Sequence, residues 1–168
     1  LAEVTHRCPL ACPYCSNPLE MTARSREMTT QQWAEIFSQA AALGVLHLHL
    51  SGGEPASRSD LEALTKAGSE AGLYVNLITS GVGLNEKRLA ALADAGLDHL
   101  QLSLQGVNPD KADIVGGYKG GFDRKIAVAG WTRDLAIPLT LNAVFHRANM
   151  NDLPRMIELA QEFGARRL

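Results

Sequence analysis

No apolar run in this chain approaches the roughly 20 residues that cross a bilayer, and its first residues lack the basic-then-apolar order of a secretory signal. Charge of one sign is not in excess either. The 16 Lys and Arg against 18 Asp and Glu leave a net charge of −2, so there is no broad basic surface for nucleic-acid phosphates or anionic lipid. The expectation is a cytoplasmic protein whose partners are neither nucleic acid nor membrane. Close internal repeats and low-complexity tracts are absent, which excludes repeat arrays. Cysteine is scarce: there are only three, Cys8, Cys12 and Cys15, all inside CPLACPYC. An odd, tightly clustered set is a poor disulfide framework and a good site for a soft metal.

What remains is enough for one domain with a sizeable core, residues 1–168. LAEVT, VLHLHL, LYVNLIT, DHLQLSLQ and PLTLNAVF read as strands, and each is followed by a helical stretch. Thr29 with Gln32, and Ser59 with Glu62, have capping-box spacing; Asn85 is an N-cap; Gly44, Gly72 and Gly96 are stops. Between Gly106 and Gly121 the pattern breaks into a loop with at most a short helix. The last helix, NDLPRMIELAQEFG, places Leu153, Met156, Ile157, Ala160 and Phe163 on one face. Strands alternating with helices predict an α/β fold with a parallel sheet, either doubly wound or a barrel. Leu46, Leu48 and Leu50 alternate with His47, His49 and Ser51, and Leu100, Leu102 and Leu104 with Gln101, Ser103 and Gln105. Strands with one apolar and one polar face suit an open partial barrel with a wet lumen. The chain begins abruptly in a strand-like segment and stops at GARRL where another strand is due, so a fragment truncated near the start of a sixth strand is expected.

Thiolates suit zinc, copper(I) and iron-sulfur clusters, and the spacing lets all three reach one centre. A structural zinc needs a fourth ligand, for which His6 is the nearby candidate; three thiolates can instead hold three irons of a cubane and leave the fourth open. Both readings stand on spacing alone. SGGEP, Ser51 to Pro55, follows a strand whose carboxyl end lies near the cysteine loop. Its glycines suit close approach of a ligand to the backbone, and Glu54 suits an ammonium. Read alone, it is equally a strand-to-helix turn.

Together, C-x3-C-x2-C with an aromatic (Tyr14) before the last cysteine, and GGEP one βα unit later, resemble the radical S-adenosylmethionine superfamily. The resemblance implies a (β/α)6-type partial TIM barrel. It implies a 4Fe-4S cluster on Cys8, Cys12 and Cys15, which are both metal ligands and catalytic residues. S-adenosylmethionine would chelate the open iron and be cleaved reductively to a 5'-deoxyadenosyl radical. Gly52, Gly53 and Glu54 would then hold the methionine amine, Tyr14 would lie near adenine, and Ser103 and Asn142 would reach the ribose or carboxylate. A basic residue that some relatives carry after the fourth strand is not evident here, since only Lys111 offers itself. THRCPLACPYCSNP, LHLSGGEP, LYVNLITSGVGL, GLDHLQLSLQG and LTLNAVFHRANM resemble, more narrowly, the PqqA peptide cyclase family of the SPASM group. That likeness implies an oxidoreductase of pyrroloquinoline quinone biosynthesis that joins Glu and Tyr side chains of the precursor peptide PqqA. Its implied partners are the chaperone PqqD and a flavodoxin-like electron donor. The family's C-terminal SPASM domain with auxiliary clusters is absent from this chain. Another SPASM peptide maturase and a zinc-stabilised binding module are the alternatives.

Overall fold

The computed structural model describes residues 1–17 and 21–168; Pro18 of the CSNP motif lies outside them. Five strands, β1 (Ala2–Glu3), β2 (His47–Ser51), β3 (Tyr74–Thr79), β4 (His99–Ser103) and β5 (Leu139–Asn142), lie side by side in chain order and all parallel. A doubly wound sheet reverses its strand order at a switch point. Sequential order keeps every right-handed crossover on the same side, so the sheet has helices on one face and an open concave face on the other. That order decides between the two architectures the sequence allows, in favour of the partial barrel. Beyond β5, Arg166 N donates to Leu139 O (2.8 Å) and Leu141 N to Arg167 O (3.0 Å), adding one more paired segment at that edge.

The helices are α1 (Thr30–Ala42), α2 (Leu61–Glu70), α3 (Glu86–Asp94), α4 (Pro109–Gly116), α5 (Gly121–Asp134) and α6 (Leu153–Glu162). α1 packs on α2, α2 on α3, and α3 on α5. Between them and the sheet lies a leucine-rich core in which Leu50, Leu77, Leu100 and Leu102 are at most 1% exposed. The alternation of the strands is thus realised: leucines toward the helices, polar side chains toward the lumen. Thr29 and Gln32 form the expected capping box, and Asn85 caps α3 through Arg88 N (2.8 Å).

Three expectations need correction, on the Ser59–Glu62 box, the start of β2 and the buried face of α6. The Ser59–Glu62 capping box does not form: α2 starts at Leu61, with Asp60 in the cap position and its carboxylate taken by Arg58 (2.7 Å) and the Thr30 hydroxyl, while Glu62 pairs with Arg88 (2.7 Å). β2 starts at His47, after an exposed Val45 and Leu46. The short helix that the broken stretch after β4 allowed is α4, capped by Asn108 on Lys111 N (3.0 Å), opened by Pro109 and closed by Gly117 at φ 63°. In α6 the buried face is Met156, Leu159 and Ala160, and Leu153 and Ile157 are partly exposed. A 3-10 turn at Met150–Asp152 precedes the helix.

Candidate functional site

The cysteine loop is held by the three residues before it. Thr5 O accepts from Gly53 N (2.7 Å) and Arg7 O from Glu54 N (2.7 Å), so the SGGEP turn after β2 is laced to the chain that enters Cys8. The two glycines are needed for this contact. A Cβ on Gly52 would lie 2.2 Å from Thr5 O, and one on Gly53 would lie 2.4 Å from His6 O; Gly52 also has φ 130°. The close approach in this structure is by the chain's own backbone, and the Gly53 and Glu54 amides are engaged in it. Arg7 secures the same arm from outside, through Ser57 O (2.9 Å) and the Glu27 carboxylate (3.3 Å). Arg58 adds a bond to Val4 O (2.9 Å).

Glu54 is fully buried, and its carboxylate is saturated. Ala56 N (2.9 Å) and the Thr79 hydroxyl (2.6 Å) donate to Oε1, and Ser80 donates to Oε2 through both N (2.6 Å) and Oγ. A carboxylate has about four lone-pair positions, and all four are engaged. Glu54 thereby ties the end of β2 to the end of β3.

Cys8, Cys12 and Cys15 line a cavity of ≈ 170 Å³ at the carboxyl ends of the strands, together with Tyr14, Gly52, Gly53, Ser103 and Asn142. Of the residues expected to bind the cluster or S-adenosylmethionine, only Glu54 is outside this lining. Ser51, Ser80 and Gln105 join it. Gln105 is 4% exposed, and its Oε1 is buried without a partner among the described residues. The three thiols are free, Cys15 exposed and the others half-buried. Burial pushes the Cys8 and Cys12 thiols up, so loading a metal displaces their protons. Tyr14 is pushed up to about 12, by burial first and then by Cys12 beside it, and remains a neutral phenol.

A lysine missed in the sequence completes the site. Lys111 is bound to Asp152 (2.6 Å); the cation beside the cavity is Lys125 of α5, 2% exposed, with Nζ 3.0 Å from Ser103 O. Burial pushes its amine down to about 8, against the pull of Glu54, Cys12 and Cys8. The signal was present: Lys125 shares helical spacing with Val128, Ala129 and Thr132, all buried, so a charge stands on an apolar face. Thr79, which braces Glu54, carried no distinguishing signal.

These residues fit a cluster better than a zinc knot. The zinc reading needs His6, but His6 does not line the cavity and its Nδ1 accepts from Thr22 N (3.1 Å). Among the described residues no three His, Cys, Asp or Glu side chains close on one metal position. Three soft ligands around one cavity, with a buried cation behind them, suit an iron-sulfur cluster.

An α/β partial barrel with three loop cysteines at the carboxyl ends of its strands defines the radical S-adenosylmethionine enzymes, and residues 2–160 match that superfamily, to which the chain belongs. Its members work with a 4Fe-4S cluster and S-adenosylmethionine. More particularly, the whole chain is 67% identical to the PqqA peptide cyclase of Rhizobium meliloti and 68% identical to that of Ruegeria pomeroyi. It spans 45% of the length of each of these curated relatives. Among solved structures, Streptococcus suis SuiB bound to S-adenosylmethionine superposes with a TM-score of 0.85 at 22% identity, over 96% of this chain and 37% of SuiB. The anSMEcpe structure with bound AdoMet gives 0.77 at 16% identity, over 95% of this chain and 47% of that one. No helix among the described residues is long and apolar enough to cross a membrane.

Proposed function

We propose that this chain is the catalytic barrel of a PqqA peptide cyclase, which joins a Glu and a Tyr side chain of PqqA by a carbon-carbon bond in pyrroloquinoline quinone biosynthesis. The observation that carries the reading is the 67% identity across all 168 residues to a relative of that name, in a chain whose three cysteines line one cavity at the carboxyl end of the barrel. When bound, the cluster and S-adenosylmethionine supply reductive cleavage of a sulfonium and, from it, hydrogen-atom abstraction from the substrate.

The chain's own residues bind and orient. Cys8, Cys12 and Cys15 would hold the cluster as thiolates beside the methionine moiety of S-adenosylmethionine. The Gly52 and Gly53 segment flanks that moiety without side chains. Ser103 and Asn142, directly paired across β4 and β5, offer polar groups to the ribose or carboxylate, and Tyr14 covers the adenine. Lys125 places positive charge behind Ser103, where thiolates and a carboxylate accumulate negative charge. Glu54, through Thr79 and Ser80, fixes the floor of the cavity. PqqD presents the peptide, and a flavodoxin-like protein supplies the electron.

The test is incubation of the reconstituted full-length protein with PqqA, PqqD and a reductant under anaerobic conditions. A peptide lighter by two hydrogens, cross-linked between Glu and Tyr, is expected by mass spectrometry. Cleavage of S-adenosylmethionine with no change in peptide mass would overturn the assignment in favour of another peptide maturase.

A further inference from the structure

The polar face of the sheet carries a second cavity, of ≈ 310 Å³, at the amino-terminal ends of the strands. Strand pairing fixes its relation to the cysteine cavity. His47 is level with Tyr74, and His49 with Asn76 and His99; one step higher, Ile78, Gln101, Thr140 and Arg167 form the next row. Above that lie Ser103 and Asn142, already in the cysteine cavity. The two cavities are the lower and upper halves of one lumen. At about 3.3 Å per residue, the His99 level lies roughly 13 Å below Ser103, and the Gln101 level about half that.

The lower half is basic. His47, His49, His99, Arg166 and Arg167 line it, and among the described residues no carboxylate does; Glu3, on the same face of the edge strand, is outside the lining. The histidines are held in place. Asn76 Nδ2 lies 2.8 Å from His49 Nδ1, and His99 Nε2 lies 2.9 Å from the Thr140 hydroxyl. Asn76 is 5% exposed, lines the chamber, and its Oδ1 has no partner among the described residues. Turning the amide over would satisfy Oδ1 with a His49 N–H and leave Nδ2 as the unpaired donor, so either orientation leaves a buried polar atom waiting for a ligand. His49 and His99 are both held below the usual imidazole range, by burial first; for His99, Arg167 and Arg166 come next. A metal is a poor occupant, since no three His, Cys, Asp or Glu of the described residues close on one position.

We propose that this lower chamber binds a carboxylate, the acidic side chain of the peptide substrate, between His49, Asn76, His99 and Arg167. The assignment of the carboxylate to a peptide rests on the function proposed above; the chamber's preference for an anion does not. A side chain anchored there by its carboxylate leaves its methylenes in the gap between the two cavities, below the cofactor. No reaction step is assigned to the histidines: they are positioning and specificity residues.

The experiment uses the full-length reconstituted holoenzyme without reductant, so that binding is read and no turnover occurs. Dissociation constants are measured for PqqA and for PqqA with its cross-linked Glu changed to Gln, on wild type, His99→Leu, His99→Gln and Arg167→Leu. Wild type is expected to prefer the Glu peptide by about tenfold or more, as charge-assisted contacts in partly buried sites do. His99→Leu and Arg167→Leu lose most of that preference, and His99→Gln keeps part of it. S-adenosylmethionine affinity, unchanged in all four, shows that the barrel is intact. Variants that still discriminate the two peptides as wild type does would overturn the proposal. A second arm follows the His49 and His99 ring resonances during titration with glutarate. If wild type binds neither peptide, the proposed function fails by itself. A saturable glutarate shift, lost in Arg167→Leu, then supports a carboxylate site for a different substrate, and no shift overturns the chamber as well.

Discussion

Replacing Lys125 by Met is expected to stabilise the cluster-free protein at neutral pH and destabilise it in alkali. The amine lies at about 8 instead of 10.5 because burial disfavours its charge, and a shift of about 2.5 units corresponds to roughly 3 kcal/mol. The sign follows from proton counts. Below pH 8 both folded and unfolded chains hold the proton, so the folded state carries the full penalty. Between pH 8 and about 10.5 only the unfolded chain still holds it, so wild-type stability rises with pH. Methionine has no penalty to lose, but it gives up the bond to Ser103 O, worth about 1 kcal/mol. The variant is therefore about 2 kcal/mol more stable at pH 7, and that advantage is gone or reversed near pH 10.5. Urea unfolding of both proteins, cluster-free and reduced, at half-unit steps from pH 7 to 10.5 measures the difference directly. A difference flat across that range would refute the reasoning, because it would mean that Lys125 carries no charge into the core. With thiolates bound to iron the same cation is favourable, so the variant should also lose its cluster faster to a chelator.

Four further outcomes are expected. Gly53→Ala brings a Cβ to 2.4 Å from His6 O, an overlap with backbone that side-chain motion cannot relieve, and costs about 2 kcal/mol or more together with iron incorporation; a normally loaded, equally stable variant would contradict it. Glu54→Gln replaces one acceptor oxygen by an NH2 donor that faces the donors Thr79 or Ser80 and leaves buried groups unpaired, for a loss of about 3 kcal/mol in denaturant unfolding, whereas under 1 kcal/mol would mean the four bonds matter little. Cys12→Ala should abolish acid-labile sulfide and iron while leaving the circular dichroism of the fold unchanged; unfolding would favour the zinc reading. Asp60, held at about 2 chiefly by its bonds to Arg58, contributes stability that is present above pH 4 and lost as pH falls through 2. Its partial exposure limits that to about 1 kcal/mol, and Asp60→Asn should flatten that limb of the acid titration.

The sequence by itself determined the element order, the caps at Thr29 and Asn85, the leucine face and polar face of each strand, and the three-cysteine loop. These are local matters of spacing and side-chain chemistry, legible within a few residues. It did not determine what happens where distant segments touch. Strand order, which separates a barrel from a doubly wound sheet, is set by pairing between residues tens of positions apart. GGE looks from sequence like a ligand cradle; the fold spends its amides on Thr5 and Arg7 and its carboxylate on β3, because those segments are the nearest partners once β1 and β3 flank β2. The same rule hid Lys125, whose role depends on α5 packing behind β4. It also hid the basic chamber, whose histidines and arginines come from two strands and the segment beyond β5, and meet only because the sheet places them on one face.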